Sequence, residues 1–113
     1  MNEAALNKIH DLDSLRLVLR EFAAERDWRR YHTPKNLAMA MIVEAAELVE
    51  HFQWMTPEQS AAPTSQQLAA IRDEAADTLI YLVELADVLG IDLIAAARDK
   101  IGKNAVKYPA PRE

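Results

Sequence analysis

The chain has 113 residues, half of them apolar, with no cysteine and a formal net charge of -5. This length suits one domain over residues 1–113 with a core of its own. The acidic balance argues against a nucleic-acid polymer as partner, and the lack of cysteine removes disulfides and thiolate chemistry. No apolar run is long enough for a membrane span, and the polar start MNEAALNKIHDLD resembles no secretory signal. We therefore expect a cytoplasmic protein without membrane contact.

Helical periodicity begins with SLRLVLREFAAERDW, where apolar residues recur at helical spacing. Asp13 is the predicted N-cap of this first helix, which should fade before RRYHTPKN. The second helix is predicted from about Pro34 to Trp54, because proline suits the first helical turn. Thr33 is its predicted N-cap.

A loop with two prolines, MTPEQSAAPTSQQ, follows the second helix, and Thr56-Pro57 can start one short turn within it. The third helix is predicted from about Ser65 to Leu89, with Gly90 as its stop. Asp92 is the predicted cap of a fourth helix that reaches about Val106. Four helices with short links predict an all-α fold, a four-helix antiparallel bundle-like subunit.

Two of these helices carry acidic pairs among apolar residues: Glu44 and Glu47 in VEAAELVEHFQW, and Glu74 and Asp77 in DEAADTLIYLVELADVLG. Residues three apart on a helix share a face, so each pair borders an apolar stripe. If the stripes face each other, four carboxylates converge, and protons or a cation must offset their repulsion. Hard oxygen ligands suit Mg²⁺ or Mn²⁺, while the lack of Glu-x-x-His argues against a di-iron centre.

A structural alternative stays open for these acids. Glutamate is a good helix former, and most acids on amphipathic helices are solvated. Two pairs at the borders of stripes on neighbouring helices favour a shared site over chance, because clustered ionisable groups are typical of functional sites.

With these motifs the sequence resembles the MazG-like, all-α nucleoside triphosphate pyrophosphohydrolases, whose signature is ExxE on one helix and ExxD on the next. The segment EFAAERDWRRYHTPKNLAMAMIVEAAELVEHFQW is similar to the dCTP pyrophosphatase branch nearly end to end. EAADTLIYLVELADVLGIDL and KIGKNAVKYP continue the resemblance in order, so that it covers about residues 12–110.

The resemblance implies hydrolysis of a (deoxy)nucleoside triphosphate to the monophosphate and pyrophosphate, with dCTP or a modified dCTP as the expected substrate. It also implies Mg²⁺ as cofactor, with Mn²⁺ as a possible substitute, a homodimer or homotetramer, and a house-cleaning role in the nucleotide pool. By the same resemblance, the metal ligands and catalytic residues are Glu44, Glu47, Glu74 and Asp77. The general base stays open, and Glu50 is as easily solvated as part of the site.

The resemblance also implies an aromatic base site. Trp28 and Trp54 would enclose the base, whose faces stack on flat aromatic rings, and His32 would lie at the nucleotide. Tyr81 shares a face with the third helix's acidic pair and can hydrogen-bond the base or sugar. The alternative for the tryptophans is a role as core or interface anchors, and Tyr81 can equally pack in the core.

A polar row on the last helix completes the expected substrate site. The resemblance implies that its members close over the phosphates: Lys100, Asn104, Lys107 and Tyr108. Cations near a helix C-terminus also suit the helix dipole, so a solvated basic end is the alternative. Arg16 and Arg20 form an i, i+4 pair that we interpret as surface.

Other functions also remain open. A related all-α enzyme that hydrolyses dUTP or phosphoribosyl-ATP would share the fold and the acids. A non-catalytic helical module that binds metal or nucleotide would share the fold alone. The presence of all four acids argues against a degenerate site.

Overall fold

The computed structural model describes residues 2–111 as an all-helical chain. Its helices are α1 (Glu3–Leu6), α2 (Leu12–Glu25), α3 (Pro34–Glu50), α4 (Pro57–Ser60), α5 (Ser65–Val88) and α6 (Leu93–Lys107), with a 3₁₀ turn at Arg29–Tyr31. Within residues 2–111 there is no strand, so the predicted all-α class is confirmed. The ends of the predicted domain, Met1, Arg112 and Glu113, lie outside the described residues.

The start of α2 differs from the prediction, because Asp11 rather than Asp13 is its N-cap. The Asp11 carboxylate accepts the Ser14 backbone N–H at 2.7 Å, and the Ser14 hydroxyl accepts the Asp11 N–H at 3.0 Å. This reciprocal capping box needs an acceptor three residues after the cap. Asp13 has Arg16 at that position, which offers only donors, so the helix begins earlier.

The caps predicted for α3 and α6 are confirmed. Thr33 Oγ1 accepts the Asn36 N–H at 3.2 Å, and Asp92 Oδ1 accepts the Ala95 N–H at 3.0 Å. Between α5 and α6, Gly90 adopts a φ of 69°, in the left-handed region that glycine tolerates best. It therefore ends α5 as predicted.

Two predicted helices are longer than the observed ones. α2 ends at Glu25 and α3 ends at Glu50, so Trp28 and Trp54 lie after the helices rather than at their ends. The single turn at Thr56-Pro57 is present as α4.

The core consists of three helices. α3 and α5 pack along each other, and α2 packs on α5. The buried apolar side chains come from all three: Val18 and Ala23 of α2, Leu37 of α3, and Val83 and Ala86 of α5. The two acid-bearing helices are therefore the principal packed pair.

The fourth long helix, α6, stands apart from this core within the described chain and makes no extended contact with the other helices. Ile101 and Val106 on it are 68% and 84% exposed. The radius of gyration is 17.2 Å, whereas a compact domain of this length has roughly 13 Å. Much apolar surface therefore stays uncovered in one copy. No helix of residues 2–111 is long and apolar enough to cross a membrane.

Candidate active site

The packing of α3 on α5 brings three carboxylates together. Glu44 of α3 and Glu74 and Asp77 of α5 each place one oxygen within 4.8 Å of the other two. Glu74 and Asp77 are three residues apart and share a face of α5, while Glu44 lies on the helix packed against that face. The expected convergence of the two acidic motifs is thus present for these three residues.

Glu47, the fourth predicted ligand, lies one turn after Glu44 and beside the other acids. Its carboxylate acts on Glu44 and on Glu74, and it raises the pKa of both. It is half-buried, whereas Glu50, at the end of α3, is exposed. Glu47 and Glu50 thus have different environments: Glu47 lies next to the cluster, and Glu50 lies at the surface.

Crowding leaves these acids with more affinity for protons than usual. A carboxyl–carboxyl hydrogen bond to Glu74, together with burial and the neighbouring charges, raises the pKa of Glu44 to about 7. For Glu74 the same hydrogen bond acts to lower the pKa, but burial and the charges of Glu47 and Asp77 outweigh it, so the pKa is raised. In the absence of a cation, the cluster shares a proton near neutral pH.

The donor set fits a hard divalent cation. All the clustered donors are carboxylate oxygens, and Oε2 of Glu74 is buried without a hydrogen bond from any N–H or hydroxyl group of residues 2–111. None of the ion pairs formed within that part of the chain involves Glu44, Glu74 or Asp77. A carboxylate cluster with no internal counter-charge is suited to Mg²⁺ or Mn²⁺.

Tyr81 lies on α5 between the acidic cluster and a further acid, Glu84. Burial first, and then the charges of Glu84, Glu44 and Asp77, raise the pKa of the Tyr81 hydroxyl. Asp77, Tyr81 and Glu84 follow i, i+4, i+7 spacing, so they form one row on α5. Tyr81 is half-buried in this row, between the two acidic positions.

Glu84 was missed by the sequence reasoning. Its side chain is 13% exposed and lies opposite His32, with 3.7 Å between Glu84 Oε2 and His32 Nδ1. Burial raises the pKa of Glu84 to about 7 and lowers the pKa of His32, so both neutral forms are favoured. The position of Glu84 in an apolar run of α5 was the available signal, but its environment depends on α2 and the 3₁₀ turn.

His32 lies next to Trp28. The two ring centroids are 6.4 Å apart, and the Phe22 ring meets Trp28 edge-on at 5.7 Å. Trp28 is nonetheless 45% exposed. Part of its ring is therefore held by packing and part remains open to a ligand.

The other predicted substrate residues are exposed in one copy. Trp54 is 88% exposed in the turn after α3. The four predicted phosphate contacts are all exposed on or directly after α6: Lys100, Asn104, Lys107 and Tyr108. Their roles stay predictions.

Arg20 is exposed and Arg16 half-buried, and both also pair with an acid of α5, which the interpretation as surface did not include. Arg20 donates to both carboxylate oxygens of Asp87, at 2.8 and 2.6 Å, and Arg16 donates to Asp87 Oδ1 at 3.4 Å. The Arg20 hydrogen bond is the main reason why the pKa of Asp87 is lowered. These ion pairs tie α2 to α5. The i, i+4 spacing was visible in the sequence, but the acid that faces it was not.

Comparisons with known proteins agree with this geometry. A profile described as the MazG-like family matches residues 39–113. The dCTP pyrophosphatase 1 of Homo sapiens is 42% identical over 101 residues, which cover 88% of this chain and 59% of the human protein. The Mus musculus protein of the same name is 43% identical over 101 residues, with 87% and 59% covered. The chain thus spans 59% of the length of these curated relatives.

A solved structure gives the same picture of the fold. The crystal structure of a pyrophosphatase from Archaeoglobus fulgidus superposes with a TM-score of 0.83 at 42% identity, and the match covers 91% of this chain and 100% of that one.

Proposed function

Because the chain belongs to the MazG-like family, we propose that it hydrolyses a nucleoside triphosphate, dCTP or a modified dCTP, to the monophosphate and pyrophosphate. The observation that carries this proposal is the convergence of Glu44, Glu74 and Asp77 within 4.8 Å, without an ion pair to any Lys, Arg or His among residues 2–111. The similarity to dCTP pyrophosphatase 1 supports the choice of substrate. The activity would remove unwanted deoxynucleotides from the cytoplasmic pool.

In this proposal Glu44, Glu47, Glu74 and Asp77 hold Mg²⁺, for which Mn²⁺ can substitute. When bound, the metal neutralises phosphate charge and lowers the pKa of a coordinated water. A cation held by these carboxylates would supply the positive charge that offsets their repulsion of the triphosphate. The half-buried Tyr81 hydroxyl, next in the row, would donate a hydrogen bond to the sugar or base.

The base would occupy the region of Trp28 and His32. The exposed part of the Trp28 indole offers a flat face for stacking, which is sequence-tolerant because every base has such a face. Trp54 would approach the base from the turn after α3.

The phosphate contacts proposed on α6 require association. Because α6 makes no extended contact with α3 or α5 of its own copy, Lys100 and Lys107 can serve the acidic cluster only if α6 packs against another copy. The exposed Ile101 and Val106 would be covered in such a homodimer or homotetramer. The oligomer would thus complete both the core and the site.

A panel of nucleoside triphosphates assayed with and without Mg²⁺, with products separated by chromatography, tests the proposal. We expect monophosphate plus pyrophosphate, only with metal. Asp77→Asn should lower turnover by at least about 100-fold, because a ligand to the activating metal is lost. Asp73→Asn, the same change at an exposed position of α5, is the matched control. Diphosphate plus phosphate as products, or equal effects of the two substitutions, would refute the proposal.

A further inference from the structure

A cavity lies between α2, the 3₁₀ turn and α5, with a volume of about 160 Å³. Leu19, Ala23 and Val83 line its apolar side, and its polar side is formed by Arg16, Arg20, Arg29, His32, Glu84 and Asp87. A cavity of roughly 150 Å³ is enough to hold a benzene ring. The space therefore has room for one six-membered ring.

Glu84 is the polar group in this cavity with an unused acceptor. The neighbouring Asp87 is already paired with Arg16 and Arg20. Oε2 of Glu84, in contrast, is buried and has no hydrogen-bond partner among residues 2–111. The 3.7 Å separation from His32 is too long for a hydrogen bond. A buried acceptor without a donor is costly, so a ligand that brings an N–H group here would be favoured.

The spacing along α5 relates this cavity to the acidic cluster. Asp77 and Glu84 are seven residues apart, which is about two helical turns and roughly 10 Å on the same face. Tyr81 lies between them and senses the charges of both. A nucleotide with its phosphates at the cluster would extend along this row and place its base at the cavity.

We propose that Glu84 determines base specificity by accepting a hydrogen bond from the exocyclic amino group of a cytosine ring seated in this cavity. The assignment of the phosphates to the cluster rests on the proposed function. Glutamate carboxylates accept hydrogen bonds from the N4 amino group of cytosine. Uracil has a carbonyl oxygen at the same place, so two acceptors would meet and the carboxylate would stay unpaired. Glu84 thereby selects cytosine against uracil in nucleotides of otherwise equal shape.

The test compares kcat/KM for dCTP and dUTP in the full chain with Mg²⁺ at about pH 8, where the Glu84 carboxyl is ionised and can only accept hydrogen bonds. We expect the wild type to prefer dCTP. Glu84→Gln should lower the dCTP:dUTP ratio by about 10- to 100-fold, since the charged acceptor for the cytosine amino group becomes a neutral one and the amide can also donate to uracil. Glu84→Leu should lose dCTP turnover without a gain for dUTP. Glu58→Gln, the same change on the exposed α4, is the matched control and should leave the ratio unchanged.

Calorimetric titration of dCMP and dUMP separates this proposal from the proposed function, because it needs no turnover. If the wild type hydrolyses no nucleotide but Glu84→Gln still abolishes a preference for dCMP, the role of Glu84 stands and the proposed activity fails. If nucleotides are hydrolysed but Glu84→Gln lowers dCTP and dUTP turnover equally, Glu84 is structural and this proposal is wrong. A wild type without preference between cytosine and uracil overturns it as well.

Discussion

The buried carboxyl of Glu84 should make the protein less stable as pH rises. The pKa of Glu84 is raised from 4.5 to about 7 in the folded chain, and burial is the cause. Between these two values the native state holds more protons than the unfolded state, so the free energy of unfolding falls as pH rises and is level above about pH 7. Glu84→Gln, which has no such titration, should remove the part of this slope that Glu84 contributes, whereas the part contributed by Glu44 should remain.

The expected size of the effect follows from the structure. A pKa change from 4.5 to about 7 corresponds to roughly 3 kcal/mol if it is fully expressed. The side chain remains 13% exposed beside an open cavity, so solvent screens part of this cost. We therefore expect Glu84→Gln to be about 1 to 2 kcal/mol more stable than wild type near pH 8, and nearly equal near pH 4.5.

Urea unfolding followed by circular dichroism at several pH values, with a chelator present, measures this difference directly. The chelator keeps metal ions from masking the result at the acidic cluster. Glu58→Gln, the same change at an exposed position of α4, provides the control. A difference between Glu84→Gln and wild type that is the same near pH 5 and near pH 8 would refute the reasoning. So would a variant that is less stable at the higher pH.

Three further outcomes are expected. Mg²⁺ binding should release up to about one proton near pH 6.5, because Glu44 is partly protonated without metal. Calorimetry in buffers of different ionisation enthalpy would detect this release. No proton release would mean that the cluster is already ionised before the metal binds. Arg20→Met should return the pKa of Asp87 toward 3.8, which an NMR titration can follow; an unmoved pKa would remove Arg20 as its cause. Mixing inactive Asp77→Asn with inactive Lys107→Ala should restore turnover if α6 serves another copy, up to about a quarter of wild type in a randomly mixed dimer with one intact site. Activity that stays at zero would place α6 on its own copy's site.

The helices and the acidic site could be predicted because they depend on local rules. Thr33 and Asp92 act as caps through hydrogen bonds to residues three positions on, which are visible in the sequence. The Asp13 prediction failed because the competing Asp11 has a better partner at the third position. Convergence of the acids followed from two apolar stripes that had to face each other, since α3 and α5 form most of the core.

The features that could not be predicted depend on contacts between distant segments. Glu84 is buried because α2 and the 3₁₀ turn cover one side of α5, and the residues next to position 84 in the sequence do not predict this burial. Arg20 finds Asp87 across 67 residues of sequence. The position of α6 could not be predicted either. Exposed apolar residues on a helix indicate that it has a packing partner, but they do not identify that partner.

The acidic cluster and Glu84 hold protons for different physical reasons, and this difference indicates what each site would bind. At Glu44 and Glu74 the neighbouring carboxylate charges help to raise the pKa, so a cation would offset their repulsion. At Glu84 burial alone raises the pKa, so a single N–H donor is sufficient. A divalent cation at Glu84 would meet only one carboxylate, so one of its two positive charges would stay uncompensated. A neutral donor at the acidic cluster would not offset the repulsion between the carboxylates there. The proposed metal-bound nucleotide would supply both compensating groups in the order in which α5 presents the two sites.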